Sequence, residues 1–229
     1  MLSLYVAVFM FVGFHFVMSN PFFRPRLVGL MGDGLFMGLY VLVSLTTFFW
    51  MIVAFGLAPQ IQIWETQPWM RAITFLATPV ALFLLLAGIA TPNPTSFGSE
   101  KAIEDPNVVR GILTITRHPV MCGFGLWAIA HVIPNGNLAS LVFFGGLGLL
   151  AFVGMFSIDA KRARRFGEAW PQFTDQTSIL PFLAAAQGRV KIDWVGISVW
   201  RVLVAVVLWG AFYLMHPFVF GTMPFPGLQ

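Results

Sequence analysis

Long apolar runs, separated by short polar or charged stretches, dominate the chain. A helix needs roughly 20 apolar residues to cross the hydrocarbon core of a bilayer, and the chain holds six runs near that length. Short turns or loops of modest size join them, which favours a single domain over residues 1–229. The pattern predicts an all-α fold, a polytopic membrane helical bundle of about six transmembrane helices. The predicted spans are Leu2–Met18, Asp33–Leu57, Met70–Ala90, His118–Pro134, Leu138–Ile158 and Val195–Phe220.

Basic residues fall on alternate loops of this pattern. The first, third and fifth loops are basic, whereas the second loop has only Arg71 and the fourth has no charge. Basic loops mark the cytoplasmic side of a membrane protein. The odd-numbered loops are therefore predicted to be cytoplasmic, and both the N- and C-termini are predicted to lie outside. The basic residues of the odd-numbered loops are Arg24, Arg26, Lys101, Arg110, Arg117, Lys161, Arg162, Arg164, Arg165, Arg189 and Lys191.

Composition excludes several classes of protein. Hydrophobic residues make up 58% of the chain and charged residues 10%, whereas soluble domains have about 25% charged residues. The net charge of +4 does not indicate a nucleic-acid partner, because the basic residues lie in loops where membrane orientation accounts for them. The predicted partner is the lipid bilayer. A single cysteine excludes an intramolecular disulfide and any cysteine-rich metal or iron–sulfur site.

Two smaller patterns concern packing and the membrane surface. Gly34 and Gly38 form a small-xxx-small pair, which predicts close approach of a neighbouring helix. Residues 159–165 (DAKRARR) are predicted to extend the fifth helix into water, where their charges would attract anionic lipid headgroups.

Two histidines lie inside predicted spans. His15 is flanked by phenylalanines in the first span, and His131 lies in the fourth. An imidazole facing lipid would lack partners, so these rings are predicted to face the bundle interior. There they either bond to a neighbouring helix or ligate a metal or haem iron, since neutral imidazole is a common ligand.

Arg117, His118 and Pro119 stand at the start of the fourth span. Proline is favoured in the first turn of a helix, where its missing N–H would be unpaired anyway. Arg117 and His118 are suited to an anionic headgroup or phosphate at this helix N-terminus. His131 is 13 residues further on, about 20 Å along the axis and some 220° around it. The two histidines therefore cannot bind one metal between them.

The remaining candidates have simpler interpretations. Cys122 shares a helix face with His118 and is expected to be a small buried hydrophobic residue. His216 is near the outer end of the last span, where an interfacial histidine is expected.

The R-H-P…G…W-x-x-A-H…N-G string of residues 117–137 resembles the NnrU family of bacterial membrane proteins, as do LYVAVFMFVGFHFVMSNP and the order of spans. The resemblance covers nearly the whole chain. It implies a multi-pass protein of the bacterial inner (cytoplasmic) membrane, linked to denitrification in cells that reduce nitrite and nitric oxide. Respiratory membrane proteins are the partners that it implies.

The plant relative in that family is zeta-carotene isomerase, which is similar in the RHP…AH region. That similarity implies haem b, two axial histidines and an isomerase-like redox reaction on a hydrophobic small-molecule substrate. Carried over by position, the ligands are His15 and His131, with His118 as the RHP histidine. The isomerase has a cysteine three residues before its second ligand, where this chain has Ala128. No catalytic residue is assigned.

Depth in the bilayer favours other pairs. By position along the spans, His15 is level with His118 and His131 with His216, whereas both axial ligands of one haem must share a level. The inherited pair therefore requires a tilted or broken helix.

Two alternatives belong to other classes. Isoprenylcysteine carboxyl methyltransferases and nurim-type proteins also carry an R-H-P…G stretch followed by a cytoplasmic segment like residues 166–182. That similarity implies S-adenosylmethionine held beside Arg117 and His118. The third reading is a non-catalytic membrane assembly factor, which needs neither ligand.

Overall fold

The protein is all-helical over residues 1–224, the part that the computed structural model describes, and this range contains no β-strand. Residues 225–229, the end of the predicted domain, lie outside it. An isolated bridge joins Gln62 to Asn137. The helices are α1 (Leu2–Met18), α2 (Phe23–Gly56), α3 (Pro68–Ile89), α4 (Pro119–Asn135), α5 (Leu138–Phe166), α6 (Ala169–Asp175), α7 (Leu183–Ala186), α8 (Trp194–Ile197) and α9 (Val199–Phe220), with 3-10 helices at Glu100–Glu104 and Gly111–Thr114.

Length and composition confirm a multi-pass membrane protein. Four helical segments of the described chain are long and apolar enough to span a bilayer: α2, α3, α5 and the combined stretch Trp194–Phe220. α1 and α4 are also apolar but have 17 residues each. The count of six spans and the outside location of the termini therefore remain predictions.

Most predicted spans match helices within a few residues, and two differences have local causes. α2 starts at Phe23 rather than Asp33, but Gly32 breaks its helical backbone with φ 81° and ψ 158°, so the second segment starts where the span was predicted. Ser198, with φ 67°, separates α8 from α9 inside the last predicted span. α5 continues through residues 159–165 to Phe166, as predicted.

The long helices follow one another in a row of packed neighbours. α2 packs on α1, α1 on α5, α5 on α4, α4 on α3 and α3 on α9. The 57–67 and 136–137 connections meet at one end of this row, which we call the turn end. Residues 90–118 and 167–198 cover the opposite end, the loop end, which is the predicted cytoplasmic side.

Glycines allow α4 to fit tightly between its two neighbours. A Cβ on Gly123 would lie 2.7 Å from the Ala81 carbonyl oxygen of α3, and one on Gly125 would lie 2.6 Å from the Phe152 ring of α5. The described chain does not confirm the prediction for Gly34 and Gly38, because none of its residues 1–224 lies within 4 Å of a Cβ at either position. The close approaches belong to α4 rather than to α2.

The chain forms two apolar clusters. One lies toward the turn end between α1, α2, α4 and α5 and includes Phe11, Met51 and Phe144. The other joins the loop-end segments to α3, α4 and α5 and includes Ile112, Met155 and Trp170. The loop-end segments therefore fold into a cap with a core of its own.

Polar groups fasten this cap. Asp193 Oδ1 accepts from the Gly196 N–H and Oδ2 from the Gly111 N–H, both at 2.8 Å. These two hydrogen bonds hold the pKa of Asp193 below its ordinary value. Arg189 donates to the carbonyls of Thr174 and Thr177 near the end of α6. Sequence position alone had assigned Arg189 only to membrane orientation.

Candidate functional site: a buried arginine–histidine–aspartate cluster

Two of the predicted site residues meet a carboxylate at the loop end. His118 Nε2 lies 2.7 Å from Asp159 Oδ1, and Arg117 Nε donates to Asp159 Oδ2 at 3.0 Å. Arg117 Nη2 also donates to Oδ2. The His118 side chain is 1% exposed, Arg117 12% and Asp159 15%. We call Arg117, His118 and Asp159 the RHD cluster.

Backbone contacts fix the segment that carries the cluster. His118 is the N-cap residue of α4 and Pro119 occupies the first turn, where proline costs no hydrogen bond. The Arg117 carbonyl accepts from Asn93 Nδ2 at 2.9 Å and from Thr95 Oγ1 at 2.8 Å. The Arg117 N–H donates to the Ser178 carbonyl at 3.0 Å. Two separate loop segments, one before and one after the α4–α5 hairpin, therefore position the two side chains.

The electrostatic balance of the cluster favours this closed arrangement. Asp159 accepts from both neighbours, so one carboxylate compensates the buried guanidinium and orients the imidazole. Breaking such a buried pair leaves an uncompensated charge and is strongly destabilising. A carboxylate that orients a histidine can also hold a proton between them. Because the His118 ring is almost fully buried, the contacts favour a positioning role over direct contact with a ligand.

His15 lies in an aromatic environment on α1. Its Nδ1–H donates to the Phe11 carbonyl at 2.7 Å. Its ring lies 4.4 Å from the Phe11 ring and 5.5 Å from the Tyr40 ring of α2, centroid to centroid. The described residues offer no hydrogen-bond partner to Nε2, which leaves that nitrogen able to accept a ligand.

His131 has a similar arrangement on α4. Its Nδ1–H donates to the Trp127 carbonyl at 2.8 Å, and its ring lies 4.7 Å from Trp127 and 5.2 Å from Phe144. Nε2 again has no hydrogen-bond partner within residues 1–224.

Comparison of the sequence with known proteins assigns the chain to a family. The family model described as NnrU protein matches residues 3–224. The chain belongs to the NnrU family. This confirms the resemblance derived from the R-H-P…A-H string, and the matched range of this chain includes the RHD cluster and all four histidines.

Two curated relatives of this NnrU-family chain are plant enzymes. The chloroplastic 15-cis-zeta-carotene isomerase of Arabidopsis thaliana is 31% identical over 135 residues, which is 56% of this chain and 35% of the relative. The Zea mays protein of the same name is 28% identical over 136 residues, 57% of this chain and 36% of the relative. The chain thus spans about a third of the length of these relatives. No solved structure matches it significantly.

Each of the two intramembrane histidines of this NnrU-family protein has a ring nitrogen suited to ligate haem iron. In each, an Nδ1–H bonded to a carbonyl leaves Nε2 for a metal, as in many histidine ligands. α1 and α5 run in the same direction, and Val8 of α1 packs at Gly146 of α5. His15 lies seven residues past Val8 toward the loop end, whereas His131 packs on Phe144, on the other side of Gly146. The two backbone positions are therefore offset along the helices by about 13 Å, and both rings lean toward the middle of the bundle, since each donates to the carbonyl four residues earlier on its own helix.

The methyltransferase alternative placed S-adenosylmethionine beside Arg117 and His118. Both side chains bind Asp159, and the imidazole is buried. The S-adenosylmethionine site stays a prediction. Cys122 is buried within 4 Å of Thr116 Oγ1 and the Ile179 carbonyl, as expected for a small buried residue.

Sequence reasoning missed Asp159 as the partner of the RHP segment. A signal for it exists, since Asp159 is the only acidic residue between Asp105 and Glu168. A carboxylate at the end of an otherwise apolar helix requires a cationic partner, and the hairpin of α4 and α5 brings Arg117 to it. Asn93 and Thr95 carried no comparable signal.

Proposed function

We propose that this NnrU-family protein is an isomerase-like membrane enzyme that acts on a hydrophobic, conjugated substrate. The observation that carries the proposal is the identity of 31% over 135 residues with a plant 15-cis-zeta-carotene isomerase. The shared segment covers about half of this chain, so the substrate here is proposed by class: a long polyene with a cis double bond.

The surroundings of His131 support this substrate class. Trp127, Phe144 and His131 form a group of mutually contacting rings, and Phe143 and Phe55 continue it toward α2. Flat aromatic rings pack well on a planar conjugated chain. The uncommitted Nε2 of His131 is the one polar atom that this imidazole adds to the group.

The test is isomerisation in lipid vesicles. Purified full-length protein is incubated with 15-cis-zeta-carotene under oxidising and reducing conditions, and the geometric isomers are separated by chromatography. Isomerisation rotates a double bond without adding or removing atoms, so the isomer ratio should change at constant total absorbing material. His131→Ala should reduce the conversion at least tenfold, whereas Cys122→Ala, a buried change on the same helix, should leave it within twofold. No conversion beyond the protein-free control under either condition would refute the proposal.

Haem b is a finer proposal, supported by the family resemblance and by the uncommitted Nε2 atoms of His15 and His131. The resemblance assigns these two histidines as the axial pair. Protein made with ample haem should give a Soret band and sharp reduced α and β bands, lost in both His15→Ala and His131→Ala. A flat wild-type spectrum would exclude haem, and an unchanged spectrum in either folded variant would remove that histidine from the ligand pair.

A role in denitrification is the physiological setting that the family resemblance implies, whether by catalysis or by assembly of respiratory reductases. Deletion of the gene in its own host should lower nitrite or nitric oxide reduction by intact cells. If a His131→Ala protein restores reduction fully, the assembly alternative is favoured over an enzymatic role.

A further inference from the structure

A cationic cleft opens at the loop end, away from the histidines. It lies between the start of α2, the end of α5 and the loop that follows α3, and has a volume of about 330 Å³. Four of its lining residues are basic and one is acidic: Arg24, Lys161, Arg162, Arg165 and Glu100. Its formal charge is therefore 4 − 1 = +3.

Glu100 compensates only part of this charge. Its carboxylate lies 3.0 Å from Arg162 Nη2 and 3.8 Å from Arg165 Nη1. Within residues 1–224, no carboxylate lies within ion-pair distance of Arg24 or Lys161. The Lys161 ammonium is instead close enough to Arg24 and Arg162 to be repelled by both.

Such a cluster forms at an energetic cost unless an anion occupies it. Arg24 comes from α2, and Lys161, Arg162 and Arg165 share one face of α5 at helical spacing, so the fold itself brings these charges together. Guanidinium and ammonium groups that converge on one space are the donors that bind phosphate oxygens. The volume is in the range of ligand sites and leaves room for more than one phosphate group.

The rim of the cleft is apolar. Phe97 lines it with 73% of its surface exposed, and Ile158 lines it from α5. Phe22 and Phe23, which directly precede Arg24 in sequence, are also exposed. Phosphate-binding charges beside exposed apolar side chains match a molecule that has a phosphate and hydrocarbon chains. This is the surface at which a headgroup of the predicted cytoplasmic leaflet would lie.

We propose that this cleft binds the phosphate group of an anionic ligand through Arg24, Lys161 and Arg162, with a phospholipid headgroup as its source. Arg162 also donates to the Ser96 carbonyl and so connects the bound anion to the loop after α3. The proposal does not depend on the isomerase-like function, because none of these residues contacts His15, His131 or the RHD cluster in the hydrogen bonds and ion pairs of the described chain.

The experiment uses the full chain in neutral detergent. Native mass spectrometry with added phosphatidylglycerol or phosphatidylcholine measures retained lipid, and calorimetry with inorganic phosphate tests a soluble source. Phosphatidylglycerol should be retained in preference, and Lys161→Gln should weaken its binding about fivefold. Arg164→Gln is the matched control: it removes the same charge from an exposed position of the same helix outside the cleft, and it should change binding less than twofold.

Each other outcome decides the proposal. Binding of inorganic phosphate that Lys161→Gln weakens, without preference between lipids, would support the phosphate site and assign it a soluble ligand. Equal losses in Lys161→Gln and Arg164→Gln, or no binding of either probe, would overturn it. Should Lys161→Gln unfold, Arg24→Gln replaces it with the same expected loss.

Discussion

α4 carries two histidines in opposite kinds of environment. At its loop end His118 is buried, and Asp159 accepts the hydrogen bond of its Nε2. About 20 Å away, His131 lies among aromatic rings, and its Nε2 has no partner in the described chain. Both nitrogens are chemically alike, but only the second remains available to a ligand.

The contrast separates a histidine that stabilises the fold from one that has a nitrogen available to a ligand. The R-H-P sequence is the stronger motif, yet its Arg117 and His118 side chains both bind Asp159. These contacts join α4 to α5 at the loop end. At the turn end, neutral hydrogen bonds join the α2–α3 connection to the end of α4, from Trp64 Nε1 to the Ile133 carbonyl and from Thr66 Oγ1 to the Pro134 carbonyl. A conspicuous motif in a membrane protein can therefore serve to stabilise helix packing, whereas a histidine outside the motif, His131, keeps a ring nitrogen without a partner in the described chain.

The largest effect is expected from Asp159→Ala. It leaves the Arg117 guanidinium buried without a counter-charge, which should lower the free energy of unfolding by about 3–5 kcal/mol. Denaturant or SDS unfolding of the purified protein measures it. Glu168→Ala, an exposed acid close by, is the control and should change stability by less than about 0.5 kcal/mol. Equal stability of the two variants would show that the RHD cluster does not hold the hairpin.

The histidines themselves are compared by His118→Phe and His131→Phe. The first removes a hydrogen bond to a carboxylate and should cost about 2 kcal/mol of unfolding free energy. The second replaces one ring by another within an aromatic group and should cost less than about 1.5 kcal/mol, while abolishing conversion of the polyene substrate. If His131→Phe lost more stability than His118→Phe, the contrast drawn between the two histidines would be wrong.

The turn end should respond more weakly. Trp64→Phe removes a neutral hydrogen bond to the Ile133 carbonyl, so the free energy of unfolding should fall by about 1 kcal/mol. Trp69→Phe is the matched control, because Trp69 is exposed and makes no hydrogen bond through its indole in residues 1–224. A loss as large as that of Asp159→Ala would mean that the contacts at the two ends of α4 stabilise the fold equally.

The smallest effect on stability is expected from lowering the pH. Burial raises the pKa of Glu100, but hydrogen bonds from its own backbone N–H and from Arg162, with the charges of Arg162 and Arg165, outweigh burial and leave the pKa below its ordinary value. A carboxyl with a depressed folded-state pKa stabilises the protein above its unfolded pKa, and this contribution disappears as pH falls through the folded pKa. Between pH 6 and pH 3, wild type should therefore lose slightly more stability than Glu100→Gln. Identical losses of stability in the two proteins would show that the Glu100 carboxylate does not stabilise the loop end.

The length of the apolar runs predicted most of the fold, because α1, α3, α4 and α5 each coincide with an apolar run close to the length that crosses a bilayer. It could not predict the kink at Gly32 or the break at Ser198, which depend on single backbone angles. The site was predicted in part: Arg117 and His118 were singled out, but their partner Asp159 lies more than forty residues away and only the α4–α5 hairpin brings it close. The offset of His15 and His131 along their helices required the register of α1 on α5, which the sequence does not encode locally.

The distance in sequence between Arg117 and Asp159 also constrains how the protein is made. When α4 leaves the ribosome, Arg117 has no counter-charge, and it obtains one only after the whole of α5 has been synthesised. Ser178, which accepts from the Arg117 N–H, emerges later still. We expect the α4–α5 hairpin to enter the membrane as a unit, with the loop-end cap closing over its charged end as the last step of biogenesis.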